Sequence, residues 1–168
     1  MNEKMGFSLL ELTFVIVVLS ILAMFAIPEY TKTHREAKIA VLNDLRGKLT
    51  NAVDTLKTAS NIESRKQTID DQSYVQYDAG QYYQVAGKLL HPSEICHILG
   101  LTIAQLAKGV AVTSIDGMYT CKYENLNTSW IKMNKLESTD CALSYAASYS
   151  NSIITAVDIN LVGDCLEQ

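Results

Sequence analysis

The stretch Gly6-Phe7-Ser8-Leu9-Leu10-Glu11-Leu12-Thr13 opens an apolar run that meets no second charged residue before Ile27 and ends at Pro28. As an α-helix this run is about 30 Å long at about 1.5 Å per residue, the hydrocarbon thickness of a bilayer. Its one ionisable group is the Glu11 carboxylate. An acid at the middle of a membrane span costs roughly 2.5–3.5 kcal/mol on insertion scales, and such residues mark a function or a partner. Glu11 lies about one helical turn, roughly 6 Å, from Phe7. A cut after Gly6 would create an α-amine on Phe7, and two opposite charges at one end of the helix can neutralise each other. The alternative is that Glu11 folds back on its own helix N-terminus, where the macrodipole favours an acid.

Beyond the apolar run the pattern changes but stays helical. Pro28 lacks an amide proton and clashes with the carbonyl four residues back, so it interrupts or bends a helix that otherwise continues. From Glu29 the chain becomes charged, and Leu42, Leu45, Leu49, Val53 and Leu56 repeat at steps of three and four. That is one apolar stripe, with Lys38, Asp44, Arg46, Lys48, Asp54 and Lys57 off it, on which a globular head can pack. The spacing predicts a single helix from about Phe7 to about Ala59, close to 80 Å at about 1.5 Å per residue, with Gly47 its weak point. The basic cluster Lys32-Thr33-His34-Arg35 suits lipid head groups, acidic groups of a neighbouring subunit, or a solvated face.

Met1-Asn2-Glu3-Lys4-Met5-Gly6 followed by Phe7-Ser8-Leu9-Leu10-Glu11 resembles the class III leader of type IV pilins and type II secretion pseudopilins. The likeness rests on glycine at the cut, a large apolar residue after it, glutamate four positions further, and Pro28 closing the apolar run; it covers about the first thirty residues. It implies that a prepilin peptidase cuts between Gly6 and Phe7 and methylates the Phe7 amine. It also implies that Glu11 aligns incoming subunits by pairing with the Phe7 amine of a neighbour in the filament.

The division expected is a leader at 1–6, a membrane and filament-core half-helix at 7–28, an amphipathic half at 29–59, and a globular head at 60–168. The fold class is α+β: a long N-terminal helix with a small antiparallel sheet packed on its second half. With 168 residues, about thirty of them leader and span, the rest can bury one modest core. The formal net charge is −4, and removing residues 1–6 takes away one acid, Glu3, and one base, Lys4. Mild acidity gives no support for a nucleic-acid backbone binder, so DNA uptake stays unsupported, though a small local patch is compatible with it.

All four cysteines, Cys96, Cys121, Cys141 and Cys165, lie beyond the apolar run from Lys4. An even count suggests two disulfides and a head in an oxidising compartment. Four cysteines allow three pairings. Neighbour pairing, Cys96 with Cys121 and Cys141 with Cys165, is preferred because each would close a moderate loop around a hairpin. The spacings do not suit the CxxC knuckles of structural zinc. The Cys141 and Cys165 pair also resembles, in spacing, the disulfide-bounded loop of many type IV pilins. Orientation carries a conflict: Lys4 and the initiator amine favour an N-terminus in the cytoplasm, while Lys32, Arg35 and Lys38 follow the span on the other side. The leader resemblance and the cysteines outweigh that count. No small-x-small pattern of a secretory signal follows the apolar core.

In the head, residues 60–71 read as a polar loop. Tyr74-Val75-Gln76-Tyr77 and Tyr82-Tyr83-Gln84-Val85 read as strands around Asp78-Ala79-Gly80, their tyrosines as packing groups. His91-Pro92-Ser93 introduces a short helix with Ser93 as N-cap, and Thr102 with Gln105 as a capping box predicts a further turn or two ending at Gly109. Asp116-Gly117 between residues 110–115 and 118–123 is a hairpin signal. Trp130-Ile131-Lys132-Met133 adds a strand, and residues 141–146 and 154–159 form a last hairpin across Ser150-Asn151-Ser152. Together these predict one antiparallel sheet on the long helix.

Metal signals are weak. His91, Cys96 and His97 lack a fourth ligand nearby, and Asp158, Asn160 and Asp164 could hold calcium as the C-terminal loop of major pseudopilins does, although the twelve-residue EF-hand loop is absent. No G-x-S-x-G, Walker A, H-E-x-x-H or Rossmann pattern occurs, so no catalytic residue, no enzyme activity and no cofactor are expected. The expected function is a pilin-like structural subunit. It would be held in the bacterial inner membrane as a single-pass protein with its head outside the cytoplasm, then extracted by an assembly platform into a pilus or pseudopilus with other subunits. Two disulfides favour the pilin over the secretion pseudopilin, and a monomeric membrane-anchored binding module is the alternative of another class.

Overall fold

The computed structural model describes residues 8–78, 80–134, 141–163 and 165. Helix α1 runs from Leu9 to Ala59 with Pro28 inside it. Its end agrees with the expected boundary; Gly6 and Phe7 lie outside the described residues. The chain divides into two compact units, Met1–Ala37 and Lys38–Gln168, so α1 contributes its first part to one and its remainder to the other.

In the first unit α1 buries nothing. An eighteen-residue window reaches a mean hydropathy of 2.6 with 0% of it buried, which makes the segment long and apolar enough to cross a membrane. In the second unit the stripe read from the sequence is the buried face: Leu42, Leu49 and Leu56 are wholly inaccessible, and Leu45, Ala52, Val53 and Ala59 nearly so. Burying five Leu and Val side chains is worth about 1.5–3 kcal/mol each, roughly 10 kcal/mol together, so this half of the helix is held by packing and not by propensity.

Two antiparallel sheets complete the second unit where one was expected. The first is β1 (Lys66–Ile69), β2 (Gln72–Asp78), β3 (Gln81–Ala86) and β4 (Leu89–Leu90), paired in sequence order. The second is β5 (Ala111–Thr113), β6 (Tyr119–Asn125), β7 (Thr128–Met133), β8 (Ala142–Ser150) and β9 (Ile153–Val162), also in sequence order. Between them a 3-10 turn at Pro92–Glu94 leads into the one-turn helix α2, Ile95–Ile98.

β1 corrects the expected loop at 60–71, which instead holds a 3-10 turn at Glu63–Arg65 and this strand. Its hairpin turns on Asp70 and Asp71, both at positive φ (49° and 59°), and the β8–β9 hairpin turns on Asn151 and Ser152 at 51° and 64°. Two successive positive φ values suit the right-handed twist of the flanking strands, and short polar side chains tolerate them better than others. The Asp116-Gly117 hairpin forms, with a longer loop than a two-residue turn. The Asp116 carboxylate accepts from Ser114 Oγ and from the Met118 amide at 2.9 Å, while Gly117 alone takes a positive φ of 73°.

The helical signals near 91–109 are also corrected. His91, and not Ser93, caps the turn: its Nδ1 accepts from the Ser93 amide at 3.3 Å. Residues 101–107 are irregular, so the Thr102 and Gln105 capping box does not form. Thr102 Oγ1 donates to the Ala104 carbonyl, and Gln105 Oε1 accepts from Ser93 Oγ instead.

Among the described residues, the second sheet contacts the first and the Pro92–Glu94 turn that follows it. Tyr145 Oη on β8 donates to the Leu90 carbonyl on β4 at 2.7 Å, and Ser129 Oγ on β7 donates to the Pro92 carbonyl at 2.6 Å. Gly87 bridges to Ile154 on β9, where a Cβ on residue 87 would run into the Ile153 side chain.

Candidate assembly helix and crosslinked head

Helix α1 starts at a cap that the leader resemblance passed over. Ser8 Oγ accepts from the Leu10 amide at 3.3 Å, and the Ser8 carbonyl accepts from the Glu11 and Leu12 amides at 3.1 Å. Ser8 followed by Glu11 is therefore the S-x-x-E pattern of a helix start, and Glu11 sits in the first turn, where the macrodipole favours a carboxylate. The signal was in the sequence, hidden behind the glutamate's other reading. Glu11 has no ion-pair partner among the described residues. Gly6 and Phe7 lie outside them.

The other polar groups of the apolar stretch satisfy themselves. Thr13 Oγ1 donates to the Leu10 carbonyl at 2.8 Å and Ser20 Oγ to the Ile16 carbonyl at 2.7 Å, so neither hydroxyl needs a partner in hydrocarbon. Glu11 is the one ionisable group in Leu9–Ile27, placed in the first turn of the helix. Leu9, Leu10, Phe14, Met24 and Phe25 are each at least 70% exposed. Isolated Leu or Phe side chains on a surface are ordinary; this many in one continuous stretch requires a covering. Past Pro28, Thr31 Oγ1 donates to the Pro28 carbonyl at 2.8 Å, and Tyr30 Oη meets His34 Nε2 at 2.8 Å with the rings edge to face. In the basic cluster Lys32 lies 4.0 Å from Glu36, an exposed pair of little energetic weight.

In the head, Cys141 and Cys165 form a disulfide with Cα atoms 4.8 Å apart, as the neighbour pairing expected. The other half of that pairing is corrected: Cys96 and Cys121 are free thiols, both buried. A preference for pilin over pseudopilin that leaned on two bonded pairs does not carry with one.

The metal candidates are not gathered. His91 Nδ1 engages Ser93 Oγ at 2.8 Å, His97 Nδ1 engages Glu94 Oε2 at 2.9 Å, and Cys96 is a buried free thiol. Burial holds the His91 imidazole below its ordinary pKa. Asp158 and Asn160 sit on strand β9 and not in a loop, joined by a hydrogen bond from Asn160 Nδ2 to Asp158 Oδ1 at 2.6 Å; Asp164 lies outside the described residues. Among the described residues no three His, Cys, Asp or Glu side chains converge.

One buried acid was missed. Glu94 is 2% exposed, and its carboxylate accepts from the Gln84 amide at 3.2 Å and pairs with His97. It joins β3 to α2, and its partners are all accounted for, so it reads as a structural bond. A cavity of about 560 Å³ beside the end of α1 has Lys57, Lys66 and Lys88 in its wall. Lys66 is paired with Glu63, and Lys88 Nζ donates to the uncharged Asn61 side chain. Of the tyrosines expected to pack, Tyr83 is buried and Tyr74 and Tyr77 are half-buried, while Tyr82 is exposed; Tyr119, Tyr123 and Tyr145 are buried as well.

Compared with protein-family models, curated proteins and solved structures, the chain finds no match in any of the three.

Proposed function

We propose that this chain is a structural subunit of an extracytoplasmic helical filament of the type IV pilin class. It is stored in the inner membrane through the first part of α1 and extracted into the fibre after a prepilin peptidase removes residues 1–6. The observation that carries this reading is the single carboxylate of Glu11, without a cation among the described residues, in a helix start whose every other polar side chain is satisfied locally. In hydrocarbon that charge costs roughly 2.5–3.5 kcal/mol, and the methylated Phe7 amine of an adjoining subunit would offset it. The exposed apolar side chains of Leu9–Ile27 would then move from lipid to the helical bundle of a filament core with little change in solvation.

The test has two steps. Mass spectrometry of protein extracted from membranes is expected to give an N-terminus at methylated Phe7; chains still beginning at Met1 would refute the processing step. Glu11→Ala should leave processing and membrane insertion intact while abolishing assembly into filaments. A variant that assembles normally removes the charge-pairing mechanism, and a protein that never enters a filament but keeps a ligand-binding role is the anchored module instead.

A further inference from the structure

The cavity of about 560 Å³ beside the end of α1 gathers three lysines that lie far apart in the chain: Lys57 in the last turn of α1, Lys66 at the start of β1, and Lys88 between β3 and β4. Among the described residues its wall holds no Asp or Glu, in a chain whose formal net charge is −4. A lysine in a last helical turn ordinarily serves carbonyls that have lost their intrahelical donors. Here those carbonyls are already served. Leu56, Thr58 and Ala59 accept from the Ser60, Asn61 and Ile62 amides at 2.8, 3.1 and 3.0 Å. The Lys57 carbonyl accepts from Ser60 Oγ at 2.7 Å and from Asn61 Nδ2 at 3.3 Å. The helix end is closed without an ammonium, and Lys57 Nζ has no hydrogen bond or ion pair among the described residues.

Asn61 holds the second amine in place. Its Nδ2 is spent on the helix end, while its Oδ1 accepts from Lys88 Nζ at 2.7 Å across 27 residues of sequence. The partner is neutral, so the Lys88 charge is positioned but not cancelled, and one of its three N–H donors is used. Lys66 meets Glu63 at 2.6 Å, but the Glu63 side chain is 86% exposed, and a pair of that kind contributes about 0–1 kcal/mol. Two positive charges are left at the cavity without a carboxylate beside them.

We propose that this cavity binds a phosphate monoester of small-molecule size, with Lys57 and Lys88 on the phosphate and Lys66 completing the cationic wall. A phosphate monoester carries nearly two negative charges at neutral pH, which matches the uncancelled pair, and ammonium groups are point-charge donors to its oxygens. Thr68 and Ser73, opposite each other on β1 and β2, add hydroxyl-bearing side chains to the wall. Val75, Leu89 and Ile154 give it an apolar part. A bare anion would leave most of this volume unused, whereas pockets for small organic ligands run from about 300 to 1,000 Å³. The same chemistry is presented by a soluble phosphate ester and by the phosphate of a lipid headgroup. All the groups belong to the head, so the site stands or falls separately from filament assembly.

The experiment is calorimetric titration of the full chain in a neutral detergent at low salt, with glycerol 3-phosphate and with a short-chain phosphatidate as probes. Saturable binding of at least one probe is expected, weakening as salt is added. Lys57→Gln and Lys88→Gln should each weaken it by about tenfold or more, the loss of one charge-assisted bond. Lys57→Gln gives up no hydrogen bond or ion pair among the described residues, so its melting temperature without ligand should stay that of the parent. Lys108→Gln, an exposed lysine outside the wall, should bind as the parent does. Equal affinity for the two probes assigns the site to a soluble ester, and clearly tighter binding of the phosphatidate assigns it to a lipid headgroup. No saturation with either probe would overturn the proposal, as would unchanged affinity in Lys57→Gln and Lys88→Gln, or an equal loss in Lys108→Gln.

Discussion

Tyr145→Phe isolates one bond between the two sheets. Tyr145 is 1% exposed and its hydroxyl donates to the carbonyl of Leu90, itself wholly buried, at 2.7 Å. The substitution keeps the ring and its packing, so the loss is confined to the hydrogen bond and to a buried carbonyl with one donor fewer. A bond of this kind contributes about 0.5–1.5 kcal/mol net, and a buried acceptor left short adds to the loss, so about 1–2 kcal/mol is expected. For a unit of this size that corresponds to a fall in melting temperature of roughly 3–6 °C. The assay is near-UV circular dichroism of the full chain in detergent, which reads the tyrosines of the head and not the apolar part of α1. Ser129→Ala supplies the comparison, because its hydroxyl donates to the Pro92 carbonyl two residues along the same segment. Both bonds hold one stretch of backbone, so the double variant should lose less than the sum of the singles by about 0.5 kcal/mol or more. A melting temperature unchanged in Tyr145→Phe, or strict additivity, would refute the claim that these bonds jointly hold the segment between the sheets.

The remaining predictions concern the same unit. Burial pushes Tyr145 well above the ordinary tyrosine range and Tyr149 up to about 12. Above about pH 10 the unfolded chain releases these protons while the folded head keeps them, so stability should be level below that pH and fall as pH rises, by about 1.4 kcal/mol per unit for Tyr145. A urea midpoint flat from pH 9 to about 11, or an equal slope in Tyr145→Phe, would count against that account. Gly87→Ala asks an L-residue to hold φ +79° and drives its methyl into Ile153, so a loss of about 2 kcal/mol or more is expected in thermal melts, and a neutral result would mean that the contact with β9 is loose. The Cys141→Ser, Cys165→Ser double variant opens a loop with a sequence separation of 24 and should cost about 3 kcal/mol, read as an earlier urea midpoint for the head with α-helical signal largely retained.

The parts of the fold that the sequence revealed are those with a period. The stripe Leu42, Leu45, Leu49, Val53, Leu56 is the buried face because a helix that packs on one side must repeat its apolar residues at three and four. The apolar run to Ile27 was equally legible, since membrane length is a count. What escaped were features set by contact. β1 was hidden because all four of its residues are exposed, giving no alternation to see, and because its turn uses Asp70-Asp71 where glycine or asparagine would have announced it. The split into two sheets followed from the break at Pro92–Ile98, which read as a helix start and gave no sign of separating strand groups. The cysteines were half legible. Cys141 and Cys165 flank a hairpin and pair, whereas Cys96 on α2 and Cys121 on β6 are buried as free thiols, an outcome that spacing does not encode.

At the assembly end the same distinction decides how far the charge argument reaches. Glu11 is comfortable at the start of an isolated helix: Ser8 caps the turn and the dipole contributes about 0.3–1 kcal/mol to a nearby carboxylate. That is smaller than the roughly 2.5–3.5 kcal/mol cost of a carboxylate in the middle of a bilayer, so the local cap alone cannot hold the ionised acid at that depth. Near the interface the balance reverses and no partner is needed. Under the proposed filament reading, a subunit resting in lipid with Glu11 at the surface would tolerate it unpaired, and the cation would become necessary only when extraction carried the first turn into an apolar bundle. Glu11→Gln separates the two situations: it should leave membrane residence unchanged and weaken assembly, because the amide keeps the size and hydrogen-bonding reach of the side chain while discarding the charge that a neighbouring amine would meet. Equal loss of membrane residence and assembly would place the role of Glu11 in insertion, and would move the driving force for the filament to the apolar side chains alone.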